Sequence, residues 1–259
     1  MAGFATGVRL AVGTLTIVPV GALPTIDRNA ARWAMVLAPV AALPVAALAG
    51  AVAWAGARVG LPALLTGALV CAALAWATRA MHWDGLADTA DGLAAGWDRA
   101  RALEIMRRGD AGPVAVGVLA LTLLIDAVAL AALVPAPRGW LLIAAVVMVS
   151  RLGCTIASTR GIPAARPDGL GVVVAGSVPV LVTGVLVVLG VAGLAGVGHV
   201  AFGAPVAGAA AALFGLAASG LLVVRCRRVF GGVTGDVMGA AVEVALAVSL
   251  VAFLAVLPG

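Results

Sequence analysis

Charge is scarce in this chain. Only 10% of its 259 residues are Asp, Glu, Lys or Arg, 64% are hydrophobic, and the mean hydropathy is +1.20. A soluble domain is nearer ~45–50% apolar, so that class is excluded. Lysine and tyrosine are absent and asparagine occurs once, a bias of coding rather than of chemistry. Cys71, Cys154 and Cys226 are odd in number, far apart and set among apolar residues, which argues against a disulfide framework or a thiolate zinc site. They read as packing residues. The one long glycine-rich turn lacks the Lys-Ser/Thr ending of a nucleotide P-loop, which excludes a soluble ATPase. All positive side chains are arginines, and the net charge of +5 is spread over several loops. That distribution reads as membrane orientation, with no nucleic-acid partner.

What is present is a series of long apolar runs. Trp33–Ala57, Val59–Thr78, Gly169–Gly198 and Val200–Val224 are uncharged, and each is long enough to cross ~30 Å of hydrocarbon as a helix. Three more carry one charge each: Ala111–Val134 with Asp126, Gly139–Thr159 with Arg151, and Val237–Leu257 with Glu243. The expectation is an all-α polytopic integral membrane protein of about seven transmembrane helices. Residues 1–259 then form a single membrane-embedded domain, with no internal repeat. Phe4–Leu23, which holds Arg9 and is interrupted by Pro19, reads as an interfacial or re-entrant segment. It lacks the basic start, longer apolar run and small-residue cleavage site of a signal peptide.

With seven spans, thirteen arginines fall on one side, only Arg58 and Arg138 on the other, and Arg151 lies within a span. The positive-inside rule then predicts a cytoplasmic N-terminus in the cell (inner) membrane. The longest polar interruption, 79–110, holds six of the eleven acids and would also be cytoplasmic. Its apolar spacing predicts short surface helices broken near Gly92 and Gly96.

That loop contains His82-Trp83-Asp84-Gly85-Leu86-Ala87-Asp88-Thr89-Ala90-Asp91-Gly92. On a helix, Asp84, Asp88 and Asp91 stand at i, i+4 and i+7, within about 60° of one another. Like charges so placed repel by roughly 0.2–0.5 kcal/mol per pair, which a divalent cation would relieve. A solvated polar face is the alternative. Gly85 and Gly92 each follow an aspartate, so they are candidates for close approach of a ligand. Magnesium suits aspartate oxygens shared with substrate phosphates.

A second constellation, Gly231-Gly232-Val233-Thr234-Gly235-Asp236, enters the last span and can present backbone N–H groups to phosphate. Glu243 follows Asp236 by seven residues, on the same face and about 10 Å deeper. An intramembrane carboxylate is a functional candidate by default. Asp126 and Arg151 read as a buried structural pair. His82 is either a general base or an interfacial residue. The six tryptophans mostly flank spans, as an aromatic belt does.

At these residues the chain resembles the cobalamin synthase family, the adenosylcobinamide-GDP ribazoletransferases, whose D-G-L-A-D-x-x-D-G signature reads here as Asp84 to Gly92. The likeness continues through Arg99–Met106, Gly112, Gly169-Leu170-Gly171, and Gly232–Asp236 followed by Gly239, Ala240 and Glu243. It implies a magnesium-dependent membrane transferase acting late in cobalamin assembly. The phosphocobinamide group of adenosylcobinamide-GDP would pass to α-ribazole or its 5′-phosphate, releasing GMP.

On that resemblance the metal set is Asp84, Asp88, Asp91 and Asp236, and the base candidates are Asp91 and His82. The substrate-binding candidates are Gly85, Gly92, Arg166, Arg228, Gly232, Thr234, Gly235 and Glu243. A homo-oligomer, or contact with other cobalamin-assembly enzymes, is left open. Two departures stand out. Leu15-Thr16-Ile17-Val18-Pro19 replaces the family's frequent L-T-R-x-P, and Arg107-Arg108-Gly109-Asp110 replaces K-D-S-R. No role is therefore carried over to Arg108 or Asp110. The competing readings are a CDP-alcohol phosphotransferase, whose A-R pair and G-x-x-x-D-x-x-x-D are missing here, a metal-ion transporter through Asp126, Arg151 and Glu243, and a docking subunit.

Overall fold

A computed structural model describes residues 2–258, and among them every regular element is a helix. The chain opens with α1 (Ala2–Leu15), then an extended stretch held back against α1 by Arg9, which donates to the carbonyls of Val20 and Ala22. The expected first span is divided into α2 (Arg28–Val36), α3 (Ala38–Ala41) and α4 (Leu43–Arg58). The reason is proline. Pro39 and Pro44 sit in the first turns of α3 and α4, where the ring fits a helix start but cannot continue the helix before it.

Next come α5 (Ala63–Ala77) and α6 (Met81–Ala94), bent by 91° to one another. Then α7 (Arg99–Arg108) is capped by Asp98 and ended by Gly109 at φ +68°. These two are the short helices expected of the 79–110 loop. The break falls at Gly96, whereas Gly92 lies inside α6. The chain continues with α8 (Pro113–Leu133), α9 (Gly139–Ser150), α10 (Leu152–Ala157) and α11 (Gly169–Val174). It closes with α12 (Val180–Phe202), α13 (Pro205–Phe230) and α14 (Gly235–Val256). The expected span Gly169–Gly198 is thus two helices, separated at Gly176 (φ +64°) and Pro179.

Five helices are long and apolar enough to cross a membrane: α8, the α9–α10 stretch Gly139–Ala157, α12, α13 and α14. The bent α5–α6 pair makes a sixth if it is taken as one broken span, and α4 is a shorter apolar helix. With α4 these make the expected count of about seven, although uninterrupted hydropathy does not register the breaks at 37, 42 and 175–179. A multi-pass membrane protein remains the architecture.

Two apolar cores share α14. One joins α4, α5, α8, α9 and α12, and includes Val70, Leu130, Ile143 and Leu250. The other joins α1, α2, α7, α10 and α13, and includes Leu10, Met35, Met106 and Phe230. Three polar loops meet at the same end of the bundle. Val233 N–H donates to Pro163 O, Ala165 N–H to Val233 O, and Arg99 to Ala165 O. At another turn, Arg138 ties the loop before α9 to Val200 O.

Candidate active site

The site is built where α6 crosses α14. Gly85 faces the backbone of Asp236: a Cβ there would lie 2.6 Å from its carbonyl oxygen. Gly239 in turn faces the backbone of His82 at 3.1 Å. Paired glycines let the two backbones approach closely enough to place Asp84 and Asp88 beside Asp236. Gly85 is therefore occupied by helix packing rather than by a ligand. Gly92 faces Met106 and Phe230, and Gly232 faces Pro163 O. All three are corrected from substrate approach to close packing.

Asp84 is exposed, while Asp88 and Asp236 are half-buried. α6 turns 91° out of the line of α5 toward the polar end of the bundle, and there burial first and then the carboxylates of Asp84 and Asp236 push Asp88 up to about 6, with Arg166 pulling the other way. Arg166 Nη1 stands 3.8 Å from Asp236 Oδ2. Thr234 caps α14, accepting from Val237 N–H, and its hydroxyl donates to Asp236 Oδ2 at 3.1 Å. Gly235 lines the cavity described below.

Asp91 points elsewhere. Its Oδ2 accepts from Gly112 N–H at 2.6 Å and its Oδ1 from Ala115 N–H at 2.9 Å, so both oxygens hold the N-terminus of α8. Arg228 is exposed on α13 and stands outside the cavity lining. The structure thus joins Asp84, Asp88, Asp236 and Arg166; Asp91 also acts on the charge of Asp88 but spends both its oxygens on α8, and Arg228 stands apart.

A cavity of about 390 Å³ opens beside these carboxylates, between the end of α1, α6, α11 and the start of α14. His82, Asp84 and Asp236 line it, and so does Arg79. Arg79 carries no sequence signal beyond its position at the end of an apolar run. Arg79 and Ala80 both have φ +55°, a left-handed conformation costly for residues with a Cβ. Arg79 donates to Gly13 O at 2.8 Å, closing α1 over the bend.

Beneath the cavity lies a second polar group inside the membrane. Glu243 is buried, with Oε1 3.7 Å from His82 Nδ1. Arg151, also buried, donates to Val147 O and Ser150 Oγ, and the charge it faces is Glu243. Among the described residues no ion pair joins Asp126 to Arg151, which corrects the expected pairing. Asp126 instead faces the Glu243 side of the interior, with its Oδ1 unpartnered. Glu243 accordingly supports the site from below and does not line the cavity.

Among the described residues no three His, Cys, Asp or Glu side chains already converge as a metal cage. Asp84, Asp88 and Asp236 nevertheless offer only oxygen donors, partly accessible and mutually repelling. That fits a hard cation held by one or two carboxylates and completed by water and phosphate oxygens.

No solved structure matches this chain. Among curated proteins, one named adenosylcobinamide-GDP ribazoletransferase from a Nocardioides species is 47% identical over 251 residues, covering 95% of this chain and 97% of its own length. A protein of the same name from Frankia casuarinae is 37% identical, with 96% and 95% covered. Another from Pseudomonas aeruginosa is 41% identical, with 80% and 82% covered. The cobalamin-5-phosphate synthase profile matches residues 7–254, nearly the whole chain, including both α6 and α14 that build the site; the chain belongs to the cobalamin-5-phosphate synthase family.

Proposed function

We propose that this chain transfers the phosphocobinamide group of adenosylcobinamide-GDP to α-ribazole or its 5′-phosphate, releasing GMP. The observation that carries the reading is the meeting of Asp84 and Asp236 at the wall of one cavity, with Asp88 and Arg166 beside them behind that wall, in a chain of this family. In the reaction a ribazole hydroxyl oxygen bonds to the corrinoid-side phosphorus of the pyrophosphate. The bond from that phosphorus to the bridging oxygen breaks, and GMP departs with the oxygen.

Magnesium, held by Asp84, Asp88 and Asp236, would supply charge neutralisation on the pyrophosphate. Arg166 orients Asp236 and adds positive charge beside it. Arg79, strained and at the cavity wall, is placed to meet a second phosphate oxygen. The hydroxyl proton passes to a base. Asp91 is committed to α8, which leaves His82, in the cavity wall, as the candidate.

The convergence of the arginine-rich loops 79–110, 159–171 and 225–236 at one end supports a cytoplasmic site in the cell membrane, N-terminus inside. The test is GMP release by the purified protein in nanodiscs, given both substrates, with and without magnesium. Release that requires both substrates and the metal, and is lost in Asp88→Asn, supports the reading. A folded, monodisperse sample without turnover overturns it.

A further inference from the structure

The cavity lining combines two unlike sets of residues, which meet where Arg79 Nη2 stands 3.7 Å from Met81 Sδ. Asp84, Asp236, Arg79, His82 and Thr14 form one. The other is apolar, and three of the chain's six methionines converge on it: Met35 from α2, Met81 from α6 and Met238 from α14. Leu15 and Leu170 complete that wall. Three thioethers from three separate elements form a soft, polarizable surface that adapts to a flat ring and makes favourable sulfur–aromatic contacts. The volume of about 390 Å³ lies at the small end of ligand pockets, enough for one nucleoside-sized group and far too little for a corrin ring.

We infer that the methionine wall is the subsite for the fused aromatic base of the ribazole substrate, with the ribose and its hydroxyls turned to the aspartate wall. The inference rests on the transferase reading for the identity of the ligand. The competing ring is guanine, from the GDP end of the other substrate. Guanine carries a polar edge of donors and acceptors that must be matched when buried. Methionine and leucine side chains supply no such partners, and the cavity's carboxylates and Arg79 are the groups that the transferase reading engages with the metal and the phosphates. A benzimidazole joined to ribose carries no N–H, and its benzo ring is wholly apolar, so it loses little on entering this wall. The corrinoid remains outside the cavity, with only its phosphate reaching the carboxylates.

The test is calorimetric binding of α-ribazole to the protein in nanodiscs, with imidazole ribonucleoside, which lacks the benzo ring, as the comparison. The wild type is expected to bind α-ribazole at least tenfold more tightly. Met81→Gln, at the most accessible of the three methionines, is expected to weaken α-ribazole binding by about 3- to 10-fold, the range that a lost sulfur–aromatic contact supports. Met81→Leu, which keeps the wall apolar, recovers most of that affinity. Equal binding of the two nucleosides by the wild type overturns the inference without reference to any variant. So does a Met81→Gln protein that loses affinity for GDP instead. If the binding pattern holds but no GMP is released with both substrates, the subsite stands and the transferase reading fails.

Discussion

Asp91 stands in the middle of the acidic signature, yet its geometry predicts that it holds a helix rather than a metal. Removing the carboxylate in Asp91→Ala deletes two charge-assisted hydrogen bonds at 2.6 and 2.9 Å. The Ala115 N–H is buried, so its loss carries the full cost of an unsatisfied donor, about 1.5–3 kcal/mol. Gly112 is half-exposed and water can replace much of its bond, while the lost anion at the α8 N-terminus adds about 0.3–1 kcal/mol. The expected destabilisation is therefore about 2–4 kcal/mol. Asp91→Asn keeps one acceptor oxygen and turns an amide N–H₂ toward the other donor, for about half that loss. The assay is thermal or denaturant unfolding in detergent without substrates, run beside Asp84→Asn and Asp88→Asn, which should stay near wild-type stability while losing activity. An Asp91→Asn protein as stable as wild type, but inactive and unable to bind magnesium, would refute the capping argument and return Asp91 to the metal set.

Magnesium affinity should fall by about tenfold per pH unit below 6, because protons compete for Asp88, whose ionisation is pushed up to about 6; titration of the metal at pH 5 and 7 checks this, and a pH-independent affinity would remove Asp88 from the site. Arg151 donates to Val147 O and Ser150 Oγ and, among the described residues, faces Glu243 without a direct ion pair, so Arg151→Met should cost about 1–3 kcal/mol, and the Arg151→Met/Glu243→Gln double variant should recover about 0.5 kcal/mol or more of it. Additive losses in that unfolding cycle would show the two groups to be uncoupled. Ala80→Gly should raise stability by up to about 1 kcal/mol, since glycine adopts φ +55° without the Cβ penalty; a lower melting temperature would refute strain at the bend.

The helical class, the membrane setting and the two motifs that form the site were legible because each is a local pattern. Composition reports the solvent, and an i, i+4 spacing puts Asp84 and Asp88 on one face. What escaped was everything decided between segments distant in sequence. Asp91 shares that face by periodicity, but its partners are backbone donors on a helix that begins 22 residues later, which no side-chain pattern encodes. Arg151 was matched to Asp126 because the two lie on consecutive antiparallel spans, whereas packing turns it toward Glu243 on α14. The glycines after the aspartates are close-approach positions in the structure. The approaching group, however, is α14 or α7 with α13 rather than a ligand, and sequence alone cannot distinguish the two. The two broken spans follow from Pro39, Pro44, Gly176 and Pro179, all visible in the sequence but outweighed by the hydropathy of their neighbours.

The bend between α5 and α6 explains how an apolar chain holds an acidic site at all. Val59–Thr78 already covers ~30 Å as a helix, so an α6 continuing along α5 would carry Asp84 and Asp88 on into water, away from Asp236 on α14. The 91° turn instead lays α6 against α14, but it requires two successive residues with side chains in the left-handed region, each at a cost of about 1–2 kcal/mol. The strain is offset locally and at a distance. Ile17 N–H donates to Ala77 O at 2.7 Å and Arg79 to Gly13 O at 2.8 Å, so the N-terminal segment fastens both sides of the corner. Beyond the corner, Gly85 and Gly239 let α6 lie against α14, and the burial of Leu86, Met238 and Ala240 there is available only in the turned geometry. The same contact sets the distance between the signature carboxylates and Asp236, so the interaction that stabilises the strained corner also assembles the site. The N-terminal segment is then part of the candidate site's architecture: it closes one wall of the cavity and holds the corner that turns α6 toward it.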